Sequence, residues 1–345
     1  MQYLSPEQVK EAIYATQLYS PTIAWLIHGS PGVGKSMSCP AIADMLGIPK
    51  DRFMSLHLGD YDRVELGGVP EIAVHEETGD RVTVFRPTDV LAKFRKGTGA
   101  SMLVLEEVAT TDKDMLQFVA QLIEDRKTGN LELDPECRII ATCNRVEDRA
   151  GAKQLPSHVN RRFVHIGMTT SVDDYCAYEM ARGTDPLGLA FLRLRPDLLN
   201  CFNPNETVSG TPASWSKLFN KIPTNMSTAL YLAIAEGIVG EGPATEYVAA
   251  RDMMHMMPSI DAIRLQPSQV EIPAEPAVRY AVATAMSMTA SASAFPRDME
   301  YVARMPKEFQ MVYVTDTLRL NPDLAQTKDF IDWSIKNKDI FLGGN

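Results

Sequence analysis

The sequence predicts an α/β fold built on a parallel sheet in its first half, followed by an all-helical second half. Three observations carry that prediction. Up to about residue 170, short apolar runs alternate with helix-period segments, the pattern of strands joined by crossover helices. One of these runs feeds a Gly-rich loop that opens a helix. From Val172 onward the β-type alternation fades, and helical patterns are separated by Pro186, Pro196, Pro204, Pro212 and Pro223.

Taken in chain order, Ser5-Pro6-Glu7-Gln8 is a helix start, with Ser5 as N-cap, Pro6 in the first turn and Gln8 closing a capping box, and it predicts a helix to about Tyr19. Ile23 to Ile27 is a short apolar strand ending in the Gly-rich turn, and Met37 to Leu46 reads as the helix beyond it. Ile72-Ala73-Val74 and Val82-Thr83-Val84-Phe85 flank the polar turn Glu76 to Asp80 and predict a hairpin. Met102 to Leu105 is a second buried strand. After it Met115, Phe118, Val119 and Leu122 share one helix face. Arg126 to Asn130, with Leu131 and Leu133 beyond, predicts a second hairpin, and Arg138 to Thr142 a third buried strand.

Composition limits the function. With 34 basic and 44 acidic residues the net charge is −10, which argues against a protein that coats nucleic acid by neutralising phosphates. Cysteines 39, 137, 143, 176 and 201 form no CxxC pair and leave one over, as expected in a reducing compartment. The first residues have neither a basic nor an apolar leader pattern, so the expected location is the cytoplasm. Tyr280 to Pro296 carries no charge but is rich in Ala, Ser and Thr, and predicts a buried helix and no membrane span.

Gly29-Ser30-Pro31-Gly32-Val33-Gly34-Lys35-Ser36 fits G-x-x-x-x-G-K-[ST] between a strand and a helix; together with Met37 it is the expected ATP-binding run. The glycines let backbone N–H groups curl around phosphate oxygens at a helix N-terminus. Lys35 would bridge the β- and γ-phosphates, and the Ser36 hydroxyl would ligate Mg²⁺. Met102-Leu103-Val104-Leu105-Glu106-Glu107 is an apolar strand ending in two carboxylates, Glu106 placed toward the metal and Glu107 as the base that polarises water. Ile139 to Cys143 ends in Asn144, whose amide can hold a water with one donor and one acceptor. In Leu155-Pro156-Ser157-His158-Val159-Asn160-Arg161-Arg162-Phe163, two arginines precede an aromatic anchor, an arrangement suited to an arginine finger.

The ordered set GSPGVGKS, LVLEEV, ATCNRVEDRAGA, LPSHVNRRFVH, FLRLRPDLL and GTPASWSKL resembles the MoxR-type branch of the AAA+ ATPases, in the stand-alone versions of bacteria and their phages. The likeness is strong over residues 20–220 and rests on helix and proline pattern beyond. It implies an AAA+ domain at 1–170 with hairpin inserts near 69–86 and 126–134, a helical lid at 171–258 and a helical C-terminal region at 259–345. It further implies a ring, usually a hexamer, with ATP and Mg²⁺ at subunit interfaces, acting on a protein partner such as one with a von Willebrand factor A domain. By the same resemblance Lys35 and Ser36 are the Walker A pair, Glu107 the Walker B glutamate, Asn144 sensor 1 and Arg162 the finger. Two positions depart from the family: Glu106 replaces the usual aspartate, and Ala213 stands where sensor 2 has arginine, leaving Lys217, Arg193 or Arg195 as substitutes.

Other conspicuous residues have plainer readings. His28, His57, His75, His158, His165 and His255 lack metal-ligand spacing, and no zinc site is expected. Met253, Met254, Met256 and Met257 read as helix core, and Cys143 as buried filler. Two further functional classes stay open: a nucleic-acid motor or loader, for which the basic pair Arg126-Lys127 speaks, and a nucleotide-gated scaffold with little turnover, for which Ala213 speaks.

Overall fold

The computed structural model describes residues 1–75, 77–86, 88–149 and 151–338, apart from the side chains of Met254 and His255. Glu76 of the expected hairpin turn, Ala150 and the end of the C-terminal region from 339 lie outside the described residues, as do the side chains of Met254 and His255 in the Met-rich run. The chain divides into two compact units, Met1–Thr170 with Phe202–Asn205, and Ser171–Cys201 with the residues from Glu206 onward.

The first unit contains ten strands among the described residues: β1 (Tyr3–Leu4), β2 (Ala24–His28), β3 (Phe53–His57), β4 (Val69–Val74), β5 (Arg81–Arg86), β6 (Ser101–Glu106), β7 (Lys127–Thr128), β8 (Leu131–Glu132), β9 (Cys137–Cys143) and β10 (Phe163–Met168). Six of them form one parallel sheet in the order β1-β10-β2-β9-β6-β3. Its helices are α1 (Pro6–Tyr19), α2 (Lys35–Met45), α3 (Arg63–Gly67), α4 (Asp89–Ala92), α5 (Lys113–Asp125) and α6 (Ser157–Asn160). The two expected hairpins are present as β4–β5 and β7–β8.

The central strands are apolar throughout because both faces of the sheet are covered. Ala24 and Leu26 of β2 join Leu103, Leu105, Ile139 and Ala141 in a core closed by Met115, Phe118, Val119 and Leu122 of α5. Trp25 and Ile27 point the other way, into a core with Val104 and Ile140 closed by Val9 and Ile13 of α1 and Cys39 and Ile42 of α2. Period-2 alternation is therefore hidden inside an apolar run, each residue choosing a different core. The predicted capping box of α1 is formed, with Ser5 and Gln8 exchanging hydrogen bonds of 3.4 and 3.1 Å.

Three sheet strands, β1, β3 and β10, were not expected from sequence. β1 is two residues long, and β3 at the sheet edge keeps only Leu56 buried, so neither writes an apolar run into the sequence. The helix after the Gly-rich loop starts at Lys35, two residues before the predicted Met37.

The second unit is helical among its described residues, as the proline-punctuated pattern predicts. One hydrophobic cluster spans Tyr175 to Ala250 around Trp215, Phe191 and Tyr247; another spans Ile263 to Trp333 around Tyr301, Phe309 and Tyr313. Pro276–Met288 is buried along nearly its whole length, and the uncharged stretch leaves this helix at Thr289, before a separate helix, Phe295–Val302. No described helix is long and apolar enough to cross a membrane. The Met-rich run corrects its reading as helix core: Met253–Met256 is a single 3-10 turn, with Met253 and Met256 exposed, and Met257 packs inward.

Candidate functional site

Sheet order builds the site. Because β2, β9, β6 and β3 are parallel and include three adjacent pairs, the residues at their carboxyl ends come together: the Gly-rich loop after His28, Asn144 after Cys143, Glu106 and Glu107, and His57. The loop needs its glycines. Gly34 sits at φ +102°, a left-handed conformation a side chain rarely adopts, and a Cβ at Gly29 would meet both the Met168 carbonyl oxygen and Val33 Cγ1 at 2.9 Å. The tight turn leaves the first N–H groups of α2 at the mouth of the site.

Lys35 is 8% exposed, and its Nζ donates to Gly29 O at 2.8 Å, Ser30 O at 2.9 Å and Asn144 Oδ1 at 2.8 Å. Burial pushes its pKa down to about 8, against the pull of Asp148 and Glu107. Two predicted residues from distant parts of the chain, Lys35 and Asn144, are thus joined directly.

The Ser36 hydroxyl donates to Glu106 Oε2 at 2.7 Å, and the Ser55 hydroxyl donates to Oε1 of the same carboxylate. Ser36 and Glu106 form a hard oxygen pair of the kind Mg²⁺ takes, so these residues fit that ion. Ser55 was not picked out from sequence; it lies on β3, the strand whose half-exposed pattern hid it.

Glu107 has φ 58° and ψ 39°, a left-handed backbone in a residue other than glycine. Its N–H donates to Thr142 Oγ1 at 3.4 Å, and Thr110 Oγ1 donates to its carbonyl at 2.8 Å. These contacts hold the backbone at this position, and His57 Nε2 lies 3.4 Å from Glu107 Oε2. His57 was expected to be an unremarkable histidine. Its place follows from the register, which sets His57 opposite Glu106.

Arg162 is not at this edge. It precedes Phe163, whose register partner is Ala24 at the start of β2, so it lies at the amino edge of the sheet, a strand length from the loop. There its Nε is 2.8 Å from Glu124 Oε2, and its Nη1 donates to the His158 carbonyl. It borders a shallow cleft of about 590 Å³ lined by Thr22, Ile23, Glu124, Arg126, Arg161 and Phe163 among others. Arg126 donates to the Asp134 and Cys137 carbonyls, so of the basic pair Arg126-Lys127 only Lys127, on β7, is exposed.

In the second unit, the Arg193 side chain is 6% exposed and donates to Asp316 Oδ1 at 2.8 Å and Thr284 Oγ1 at 2.6 Å. Arg195 is engaged with Asp197 and Glu246, while Ala213 and Lys217 are exposed on helix Pro212–Lys221.

Residues 24–163 match the sequence profile described as AAA domain (dynein-related subfamily). No protein of curated function matches the sequence. Among solved structures, NtrX from Brucella abortus in complex with ADP aligns at 13% identity over 98% of this chain and 67% of its own, with a TM-score of 0.39. The same protein in complex with ATP aligns at 13% identity and the same coverage, with a TM-score of 0.35. These two likenesses are too loose to bear on the chemistry.

Proposed function

Starting from an AAA domain at residues 24–163, we propose that this chain binds and hydrolyses ATP with Mg²⁺ as a subunit of a MoxR-type ring, hexameric by that resemblance, and uses the cycle to remodel or activate a protein partner. The observation that carries the reading is the gathering of Lys35, Ser36, Glu106, Glu107 and Asn144 at one sheet edge, around N–H groups at the start of α2.

Each residue has work that its geometry allows. In this structure Lys35 spends its three hydrogen bonds on Gly29, Ser30 and Asn144; a polyphosphate seated in the loop takes over such bonds, leaving the Asn144 amide free to orient water. Glu107, half exposed and beside His57, is placed to accept the proton of an attacking water. Ser36 and Glu106 would hold Mg²⁺, which when bound neutralises charge developing on the phosphate oxygens. Arg162 at the amino edge cannot reach its own loop along the sheet, so its role as a finger requires a neighbouring subunit. A von Willebrand factor A domain protein is the partner class that the family resemblance suggests.

A second reading, a nucleotide-gated scaffold with little turnover, is favoured by one observation: both substitute arginines are occupied, Arg193 with Asp316 and Arg195 with Asp197 and Glu246. The deciding experiment measures mass and ATP turnover together across protein concentration. The ring reading expects assembly with ATP and a per-chain rate that rises with assembly. A monomer with nucleotide bound and a concentration-independent rate would sink it, and assembly without turnover would select the scaffold.

A further inference from the structure

A line of side chains joins the two edges of the sheet. Cys143, the last residue of β9, is buried beside Asn144, and its Sγ lies 3.1 Å from His28 Nδ1. Nε2 of His28 lies 2.8 Å from His165 Nδ1, and Nε2 of His165 lies 2.8 Å from the Asn160 carbonyl oxygen. Asn160 ends α6, and Arg161 and Arg162 follow it directly. Register explains how the rings meet: His28 is paired with Gly167 and His165 with Leu26, so both histidines rise from one face of neighbouring strands two positions apart. Their rings stack with centroids 5.1 Å apart.

The hydrogens in this line run in one direction. A carbonyl can only accept, so Nε2 of His165 carries the hydrogen and Nδ1 of the neutral ring accepts from Nε2–H of His28. That leaves Nδ1 of His28 to accept from the Cys143 thiol. Burial favours this assignment, pushing the thiol up to about 12 and, with His165 and Lys35 adding to it, His28 down to about 4. Linked hydrogen bonds of one sense polarise one another, so a change at one end is felt at the other.

We propose that Cys143, His28 and His165 are positioning residues that couple nucleotide occupancy at Lys35 and Asn144 to the placement of Arg162 at the opposite edge. The proposal rests on the ATPase reading above. When phosphate frees Asn144 from Lys35, the end of β9 can shift, and the Cys143 thiol carries that shift through the two rings to the carbonyl one residue before Arg161. A purely structural line would satisfy the same buried polar atoms without responding to ATP.

The test uses full-length protein, ¹⁵N-histidine NMR with Mg²⁺ and a non-hydrolysable ATP analogue, and steady-state turnover. Wild type should show both rings as Nε2–H tautomers, and the His165 signals should move when the analogue binds. Cys143→Ala should keep analogue affinity within about twofold, lose the His165 response and lower kcat about fivefold, the weight of one neutral hydrogen bond. Cys143→Ser, which keeps a donor, should restore both. Analogue binding without movement of the wild-type His165 signals, hydrogen on His28 Nδ1, or wild-type kcat in Cys143→Ala would each overturn the coupling while leaving the ATPase reading intact. No analogue binding to wild type at all would overturn that reading first.

Discussion

Lys35 and Asn144, 109 positions apart in sequence, are joined by a 2.8 Å hydrogen bond from ammonium to amide oxygen. The ammonium is confined among neutral acceptors, and burial holds its pKa near 8, below the ordinary lysine value of 10.5. A polyphosphate beside it would raise that value again. Above about pH 8 the free chain has lost this proton and the complex has not, so ATP binding at about pH 9 should take up most of one proton, and at about pH 6.5 almost none from this group. Calorimetry in two buffers of different ionisation enthalpy measures it. Stability of the nucleotide-free chain follows the same sign: the unfolded state binds the extra proton between pH 8 and 10.5, so this group makes the fold more stable as pH rises through that window. Lys35→Ala should stay folded, lose ATP binding and lose the uptake with it.

Glu107→Gln keeps the shape of the side chain and removes its basicity. ATP should remain bound while turnover falls by roughly 10²-fold or more. Filter binding alongside a phosphate-release assay separates the two. Should Glu106→Gln abolish hydrolysis and Glu107→Gln spare it, Glu106 is the base and Glu107 is not.

The extra methylene of Glu106 is accommodated by two hydroxyls, Ser36 on Oε2 and Ser55 on Oε1. Ser55→Ala frees one oxygen of the carboxylate. The Mg²⁺ concentration for half-maximal turnover should rise about tenfold, the weight of one hydrogen bond to a charged group, with kcat at saturating Mg²⁺ within about twofold of wild type. A Mg²⁺ titration indistinguishable from wild type would remove Ser55 from the site.

Arg162→Ala should bind ATP and lose about 10³-fold in turnover, and mixing it with Lys35→Ala should restore part of the rate, because mixed interfaces pair one intact loop with one intact arginine. The competing role is visible in the structure: Arg162 is paired with Glu124, while Glu147 and Asp148 are taken by Arg145. If Arg162 serves only that pair, Glu124→Gln should be as damaging as Arg162→Ala, and mixing should rescue nothing.

Much of the site was legible because its chemistry is written in contiguous residues: the loop from Gly29 to Ser36, the pair Glu106-Glu107 and the strand ending at Asn144 each announce themselves locally. What sequence could not supply was adjacency across the sheet. His57 and Ser55 act through the neighbour relation of β3 and β6, and an edge strand buried only at Leu56 leaves no periodic trace. His28 and His165 look like isolated histidines until the register of β2 and β10 brings them within 2.8 Å. The central strands were found because burial on both faces makes them uniformly apolar, and the helical half because proline and capping residues mark its breaks.

The left-handed backbone at Glu107 sets fitness against durability. Its side chain is 42% exposed and contributes little packing, while its backbone occupies a region that costs a residue with a Cβ on the order of 1 kcal/mol. Glycine or asparagine would sit there with less strain, so Glu107→Gly and Glu107→Asn should melt a few degrees above wild type in a thermal scan. A library sorted for heat resistance alone would then accumulate inactive chains at this position, whereas one sorted for turnover would retain the strained glutamate. Persistence of glutamate under heat selection without any demand for catalysis would mean that the residue belongs to the fold and not to the chemistry.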